Sequence, residues 1–338
     1  MPIGIQVQRS ITRNVVLSAK SQETVGEVFA DASLTYLCRA ETSGYAQLEL
    51  GKESDLAYTS KNGLSAATES RLITQSSAFT LSTRLDDFLA GYLFAFLMGQ
   101  ETFTAGAPNT HLFTMKDTGD PAVMTNVYIE DGGGMKRKWS DMALTQLVLS
   151  GSDKGSITAK ASFLGLGTVT ADITNAMAAL PALPTAQYLY GSDSTVSMGP
   201  IGALASMNPR VLSWEATFDH NCELFRATGG GVKPFFVRQG NPTHKLKLVI
   251  AAISSADIFD WMTAQTPLGI TINVASGATT LLMTYLNVIL PKSDLGEQDK
   301  YIAFTVDLDE NSILQPAGGG APVTVTVGNT DPAYLVGV

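Results

Sequence analysis

The sequence predicts a mainly β protein, built as two tandem β-sandwich or barrel units that each carry one short flanking α-helix. Three observations carry this reading. Charged residues are only 16% of the 338, against roughly 25% in an average soluble chain. The polarity comes instead from 27 Ser, 35 Thr and 31 Gly, which suit strands and turns better than solvent-facing helices rich in Glu and Lys. Finally, runs of alternating apolar and polar residues recur along the chain, with Gly- and Ser-rich turns between them. A hydrophobic share of 45% supplies core for both units and excludes disorder as the dominant state.

The strand-like run Arg71–Leu81 leads into the first helix, expected over Leu85–Met98. Thr83 is placed to cap it, and Asp86 and Asp87 put negative charge at the positive end of its dipole. Leu85, Phe88, Leu89, Tyr92, Leu93 and Phe96 follow helical spacing, and Gly99 is a natural stop. Leu144–Leu149 and Ile157–Leu164 alternate around the turn Ser150–Gly155, the pattern of a hairpin. His244–Ile250 alternates in the same way and precedes the second helix, expected over Ser255–Gln265 and ended by Thr266-Pro267. Leu281–Leu290 and Tyr301–Leu308 are then expected to pair through a turn at Pro291–Gly296. The order strand, helix, strands, hairpin thus occurs twice, offset by about 170 residues, which reads as an internal duplication.

Composition divides the chain into a first unit over 1–175, a linker over 176–205 rich in Ala, Pro, Gly and Ser, and a second unit over 206–338. Residues 42–69 are polar, with Gly44, Gly51 and Gly63, and are expected as a long loop. Three glycine triplets, at 132–134, 229–231 and 318–320, are expected at the tips of strand connections.

Charge argues against nucleic-acid capture, since 31 acidic and 22 basic residues leave a net −9, whereas phosphate neutralisation needs the opposite balance. The longest strongly apolar run, Leu89–Met98, is half of what crosses a bilayer, and Met1–Asn14 lacks an apolar signal core. Cys38 and Cys222 lie in different halves and read as reduced thiols of a reducing cytoplasm.

Catalytic, cofactor and metal motifs are missing from the sequence. None of His111, His220 and His244 has a second His or Cys at metal-site spacing. Asp219, His220 and Cys222 are neighbours, but on a strand Asp219 and His220 point to opposite faces, so they read as a solvated strand end. In Gly151–Gly155 the serine stands one position early for a nucleophile elbow. Gly165 and Gly167 lack the third glycine of a dinucleotide fingerprint. The one basic cluster, Lys136-Arg137-Lys138 before Trp139, reads as a solvated strand edge rather than a single-strand binding patch. Catalytic residues, cofactors and metals are therefore all expected to be none.

Several stretches, in this order, resemble the tail tube proteins of long-tailed bacteriophages. Ala78–Ala90 is similar to that family's strand entering a helix, and Lys136–Gly167 to its central hairpin. Arg210–Asn221 resembles the strand opening its second unit, and Thr284–Lys292 the strand ending in Leu-Pro. The resemblance covers about residues 70–310; the first 70 residues match no part of it. It implies a structural virion protein, not an enzyme, whose rings stack into a hollow tube that conducts DNA into the host. Three duplicated chains per ring would give six similar units around the bore.

The partners so implied are other copies of the chain and further tail proteins (tape measure, terminator, tip). DNA would pass without specific binding, no membrane is involved, and assembly would take place in the host cytoplasm. The acid excess suits a bore that repels phosphates, and the loop at 42–69 is placed to reach a neighbouring ring. Two other readings are a minor tail or baseplate protein making a single ring and a β-sandwich binding module such as an adhesin. The adhesin reading needs aromatics presented together on a loop face, whereas Trp139, Trp214 and Trp261 are expected in strands and a helix, as core.

Overall fold

Alternation sets the strands of the computed structural model, which describes residues 13–18, 20–40, 42–43, 47–54, 70–116, 118–131, 136–169, 177, 179–185, 187–229, 231–251, 256–291, 293–298 and 301–335. The chain begins with β1 (Arg13–Ser18), β2 (Leu34–Ala40), β3 (Thr42–Ser43), β4 (Gln47–Ser54) and β5 (Ser70–Arg84), which enters α1 (Asp87–Met98). There follow β6 (Gly99–Thr104), β7 (Asn109–Met115), β8 (Met124–Asp131), β9 (Lys136–Ser152) and β10 (Thr158–Val169). Next come β11 (Ser194–Pro200), β12 (Ala205–Ser206), β13 (Val211–Asp219), β14 (Glu223–Phe225), β15 (Phe236–Arg238) and β16 (Thr243–Ala251). After α2 (Ala256–Thr263) the chain ends with β17 (Leu268–Ser276), β18 (Thr279–Val288), β19 (Ser293–Gln298), β20 (Tyr301–Leu308) and β21 (Val323–Asn329).

These strands make two large antiparallel sheets. The long one follows the path β19-β20-β16-β13-β9-β10-β5, with β3 and β4 along the far side of β5 and with β8, β1 and β2 branching from β9. The second runs β12-β11-β17-β18-β21-β7-β6. Both sheets pass straight through the boundary at 176–205. β9 from the first half pairs with β13 from the second, and β7 pairs with β21. One apolar core spans both halves, from Val15 and Phe79 to Val306 and Val327. The end of the expected linker is itself a strand, β11.

The long sheet shows why a face is apolar. In β16, His244, Leu246, Leu248 and Ile250 are buried while Lys245 and Lys247 are exposed. In β13, Trp214, Ala216 and Phe218 point inward and Glu215 outward. Period two does this without further help.

Helix α1 departs from the expected flanking position. All ten residues Leu89–Met98 are buried, because the helix lies between β9 of the long sheet and β6, β7 and β21 of the second. Phe94 stacks edge-on against Phe218 at 5.2 Å and lies 6.5 Å from Phe113, so one ring ties both sheets. A helix apolar on every side belongs in such a place. Its cap is Asp86, whose Oδ1 accepts the Leu89 amide at 2.9 Å, rather than Thr83. Gly99 ends it in the left-handed region at φ 76°, as expected. Helix α2 is shorter than expected, and residues 252–255 before it lie outside the described residues.

Three further expectations meet the structure differently. The strand Leu281–Leu290 does not pair with Tyr301–Leu308. β18 joins the second sheet between β17 and β21, and the hairpin partner of β20 is β19, within the stretch read as a turn. Asp294, Gly296 and Glu297 gave that strand a turn-like composition. Within 42–69, β3 and β4 pair with β5; 55–69 lie outside the described residues. Of the glycine triplets, 132–134 and 230 also lie outside, and Gly318–Gly320 follows a turn, with φ 78° at Gly319.

Candidate assembly surface

The two ends of the long sheet's main path are among its least satisfied parts, and among the described residues its side branch ends on β2, which pairs with β1 alone. Among the described residues, β19 pairs with β20 alone and β4 with β5 alone, so each offers a row of backbone donors and acceptors. Both margins carry exposed aliphatic side chains. Leu295 on β19 is 62% exposed and Ile302 on β20 63%. Leu295 stands opposite buried Phe304, which puts both exposed side chains on the core-facing side of the sheet. At the other margin Leu48 and Leu50 of β4 are exposed beside Ile73 of β5. Leu48 stands opposite buried Ser77, again on the core-facing side. The core-facing side thus carries apolar side chains as far as its last strand at both ends, where they stand exposed among the described residues.

The middle of the sheet shows how such strands close on one another. β9 and β13 run antiparallel through seven residue pairs, from Ser152↔Ser213 to Gln146↔Asp219. Gln146 donates to Asp219 at 2.6 Å and Ser150 to Glu215 at 3.3 Å. Gly151 lies beneath the Trp214 indole, where any Cβ would collide with the ring. Trp214 in turn donates to Ser194 Oγ at 3.2 Å, which ties the seam to the second sheet through β11.

The outward face of the long sheet is hydroxyl-rich. One cross-strand row reads Asp307, Lys247, Glu215, Ser150, Thr158 and Arg84 over β20, β16, β13, β9, β10 and β5. The next carries Lys245, Thr217, Val148, Lys160 and Ser82. A shallow depression of about 390 Å³ lies on this face between Ser150, Ser152, Thr158, Ser213 and Lys247.

The residues singled out in the sequence serve the fold. Lys138 is buried, reaching Asp31 at 2.8 Å and the Phe29 carbonyl at 2.9 Å, and so departs from the expected solvated strand edge, whereas Arg137 is exposed and Lys136 meets Glu130 at 3.1 Å. His220 is likewise buried, against Met115 Sδ, rather than at a solvated strand end. Burial lowers His220 and His244 to about 4 each; Asp219 opposes this at His220, and the nearby His220 adds to it at His244. His111 is held between Glu101 at 2.7 Å and Asn329 at 3.0 Å. Although burial works the other way, that contact and the Tyr334 and Leu335 amides keep Glu101 below the usual carboxylate value.

Asp86 is pushed up to about 6 by burial, against the hydrogen bonds it accepts from Tyr36 and Leu89. Cys38 and Cys222 are free thiols, and burial raises both; Cys222 reaches about 12. Gly165 and Gly167 lie in strand β10 and open no helix. Trp139 and Trp214 are buried core, as expected, and Trp261 is half-buried against it. No group of three or more His, Cys, Asp or Glu among the described residues could hold a metal ion. Among them, too, no helix is long and apolar enough to cross a membrane.

A family model described as phage tail tube protein matches residues 12–328, which takes in most of the first 70 residues, where no resemblance was expected. The chain belongs to the phage tail tube protein family. No curated protein sequence matches it. The family is one of structural tail proteins of bacteriophages, so the chain is a component of the virion and not an enzyme. The four stretches that carry the resemblance fall on β5 with α1, on β9 with β10, on β13 and on β18.

Sequence reasoning missed the two margins themselves. β4 and β19 are polar and glycine-containing and read as loop and turn. The available signal was the spacing of Leu48 and Leu50, two positions apart, beside the apolar face of β5.

Proposed function

We propose that this chain polymerises as stacked rings of three into the hollow tail tube through which the genome passes. The observation that carries the reading is a repeat in strand order. In the first half the helix-entering strand β5 is flanked by β4 on one side and by the hairpin β10-β9 on the other. In the second half β16 is flanked by β13 and by the hairpin β20-β19. Each half thus contributes a four-stranded block, and β9 meets β13 where the blocks join. By the same geometry β19 would meet β4 of the next copy, in the same antiparallel sense, with Leu295 and Ile302 covered by Leu48, Leu50 and Ile73. Three chains would place six such blocks around one bore, leaving neither β4 nor β19 free, and closure of this kind removes the edge-strand hazard at those strands. A heterologous contact that closes makes a ring.

Cysteines introduced together at Leu295→Cys and at Leu48→Cys or Leu50→Cys test this reading. Oxidation should give covalent dimers and trimers on a denaturing gel, and negative-stain images of the unmodified protein should show tubes. Cross-linked rings without tubes would favour a single-ring tail or baseplate protein. Exclusively monomeric products would remove the β19–β4 seam.

A further inference from the structure

Between β20 and β5 the outward face of the long sheet carries four cations, Arg84, Lys160, Lys245 and Lys247, all exposed. The same six strands carry three acids there, Glu215, Asp219 and Asp307. They are interleaved rather than segregated. Lys247 has Glu215 directly opposite on one neighbouring strand and Asp307 on the other. The Lys245 side chain shares this face with Asp219, two pairs along the same β13–β16 ladder. Between the charged positions the face carries mostly hydroxyls, among them Thr80, Ser82, Ser150, Thr158, Ser162 and Thr217, with Gln146, Val148 and Val249 interspersed. The chain's net −9 is therefore not concentrated on this surface.

We propose that this face is the one that meets DNA, and that Glu215 and Asp307 serve as local counter-charges that cancel Lys247 and its neighbours. The proposal rests on the tube reading above, because the face opposite the apolar core is the one that would line the bore. It replaces the expectation of an acid-lined, repelling channel with a hydroxylated surface of nearly balanced charge. Oppositely charged side chains whose Cβ atoms stand about 5 Å apart on adjacent strands attract one another and present little net field beyond a Debye length. A passing phosphate then finds neither a patch of cations to hold it nor a wall of carboxylates to exclude it. Serine and threonine hydroxyls exchange hydrogen bonds with water and phosphate alike, so no single register along the polymer is preferred.

The test compares the unmodified full-length chain with E215Q/D307N and with E215Q/D307N/K245Q/K247Q for retention of a double-stranded DNA fragment across a salt series. Both acids are exposed, so these changes leave the core untouched. Removing two counter-charges frees the lysines for phosphate contact, and about tenfold tighter binding at low salt with a steeper salt dependence is expected for two added contacts. The quadruple variant should return to the weak binding of the unmodified chain. Binding by E215Q/D307N no tighter than the unmodified chain, or a gain that survives K245Q/K247Q, overturns the charge cancellation. Micrographs of the same samples judge the bore separately. If no tubes or rings form, the reading of the tube fails, while the binding comparison still decides the charge cancellation on the free chain.

Discussion

Helices α1 and α2 follow equivalent strands, β5 and β16, yet they live in opposite surroundings. α1 is enclosed by both sheets with every residue from Leu89 to Met98 buried, whereas α2 buries Ile258 and leaves Phe259 56% exposed. The difference comes from what covers each helix. β6, β7 and β21 lie over α1, and the segment around Tyr334 packs on its Gly91 so closely that a Cβ there would meet the ring. One helix is therefore core and the other surface, although both stand at the same point of the strand order.

The sharpest break in that comparison is Phe94→Ala, which removes the ring bridging the two sheets. It should cost about 3–5 kcal/mol in urea unfolding, while Phe259→Ala on α2 should stay within about 0.5 kcal/mol. Equal costs would mean that the two helices are equally buried in solution.

Acid should act next, through the strand end that touches α1 by way of Phe218. The folded values of His220 and His244, about 4, lie below the usual 6.5. As pH falls the unfolded chain therefore takes up protons first. Stability that is whole above the unfolded value is lost between there and about 4, by about 3 kcal/mol per histidine. His244→Leu should flatten this slope, and unfolding curves at pH 8 and pH 5 that keep the original difference would count against it. Gly91→Ala should cost about 1–3 kcal/mol through overpacking against Tyr334, measurable as a lowered Tm.

Asp86 behaves in the reverse sense and tests the cap of α1. Its folded value is raised from 3.8 to about 6, so its contribution to stability declines as pH rises through that window. Asp86→Asn keeps an oxygen for the Leu89 amide and removes the buried charge. It should gain up to about 2 kcal/mol on the unmodified chain between pH 4 and pH 8. A loss of stability at both pH values would show that the cap depends on the carboxylate.

The alternation in β16, β9 and β10, the stop at Gly99 and the helix propensity of Leu89–Met98 were legible because each depends on residues a few positions apart. β4 and β19 were not. Their sequences are polar, and only pairing with the apolar margins of β5 and β20 makes strands of them. Lys138 and His220 were misjudged for the same reason. A lysine looks solvated until Asp31 and the Phe29 carbonyl, more than a hundred residues away, are folded around it. His220 is covered by Met115, at a similar separation.

By itself the sequence determined that the chain is antiparallel β with two short helices and belongs among the tail tube proteins, because strand period, helix capping and family pattern are all written locally. Only the tertiary structure decided that both sheets cross the midpoint, that α1 is core, and that β4 and β19 stand at the two ends of the long sheet's main path with exposed apolar side chains. Those are questions of which distant strand lies beside which, and period two alone cannot choose a partner.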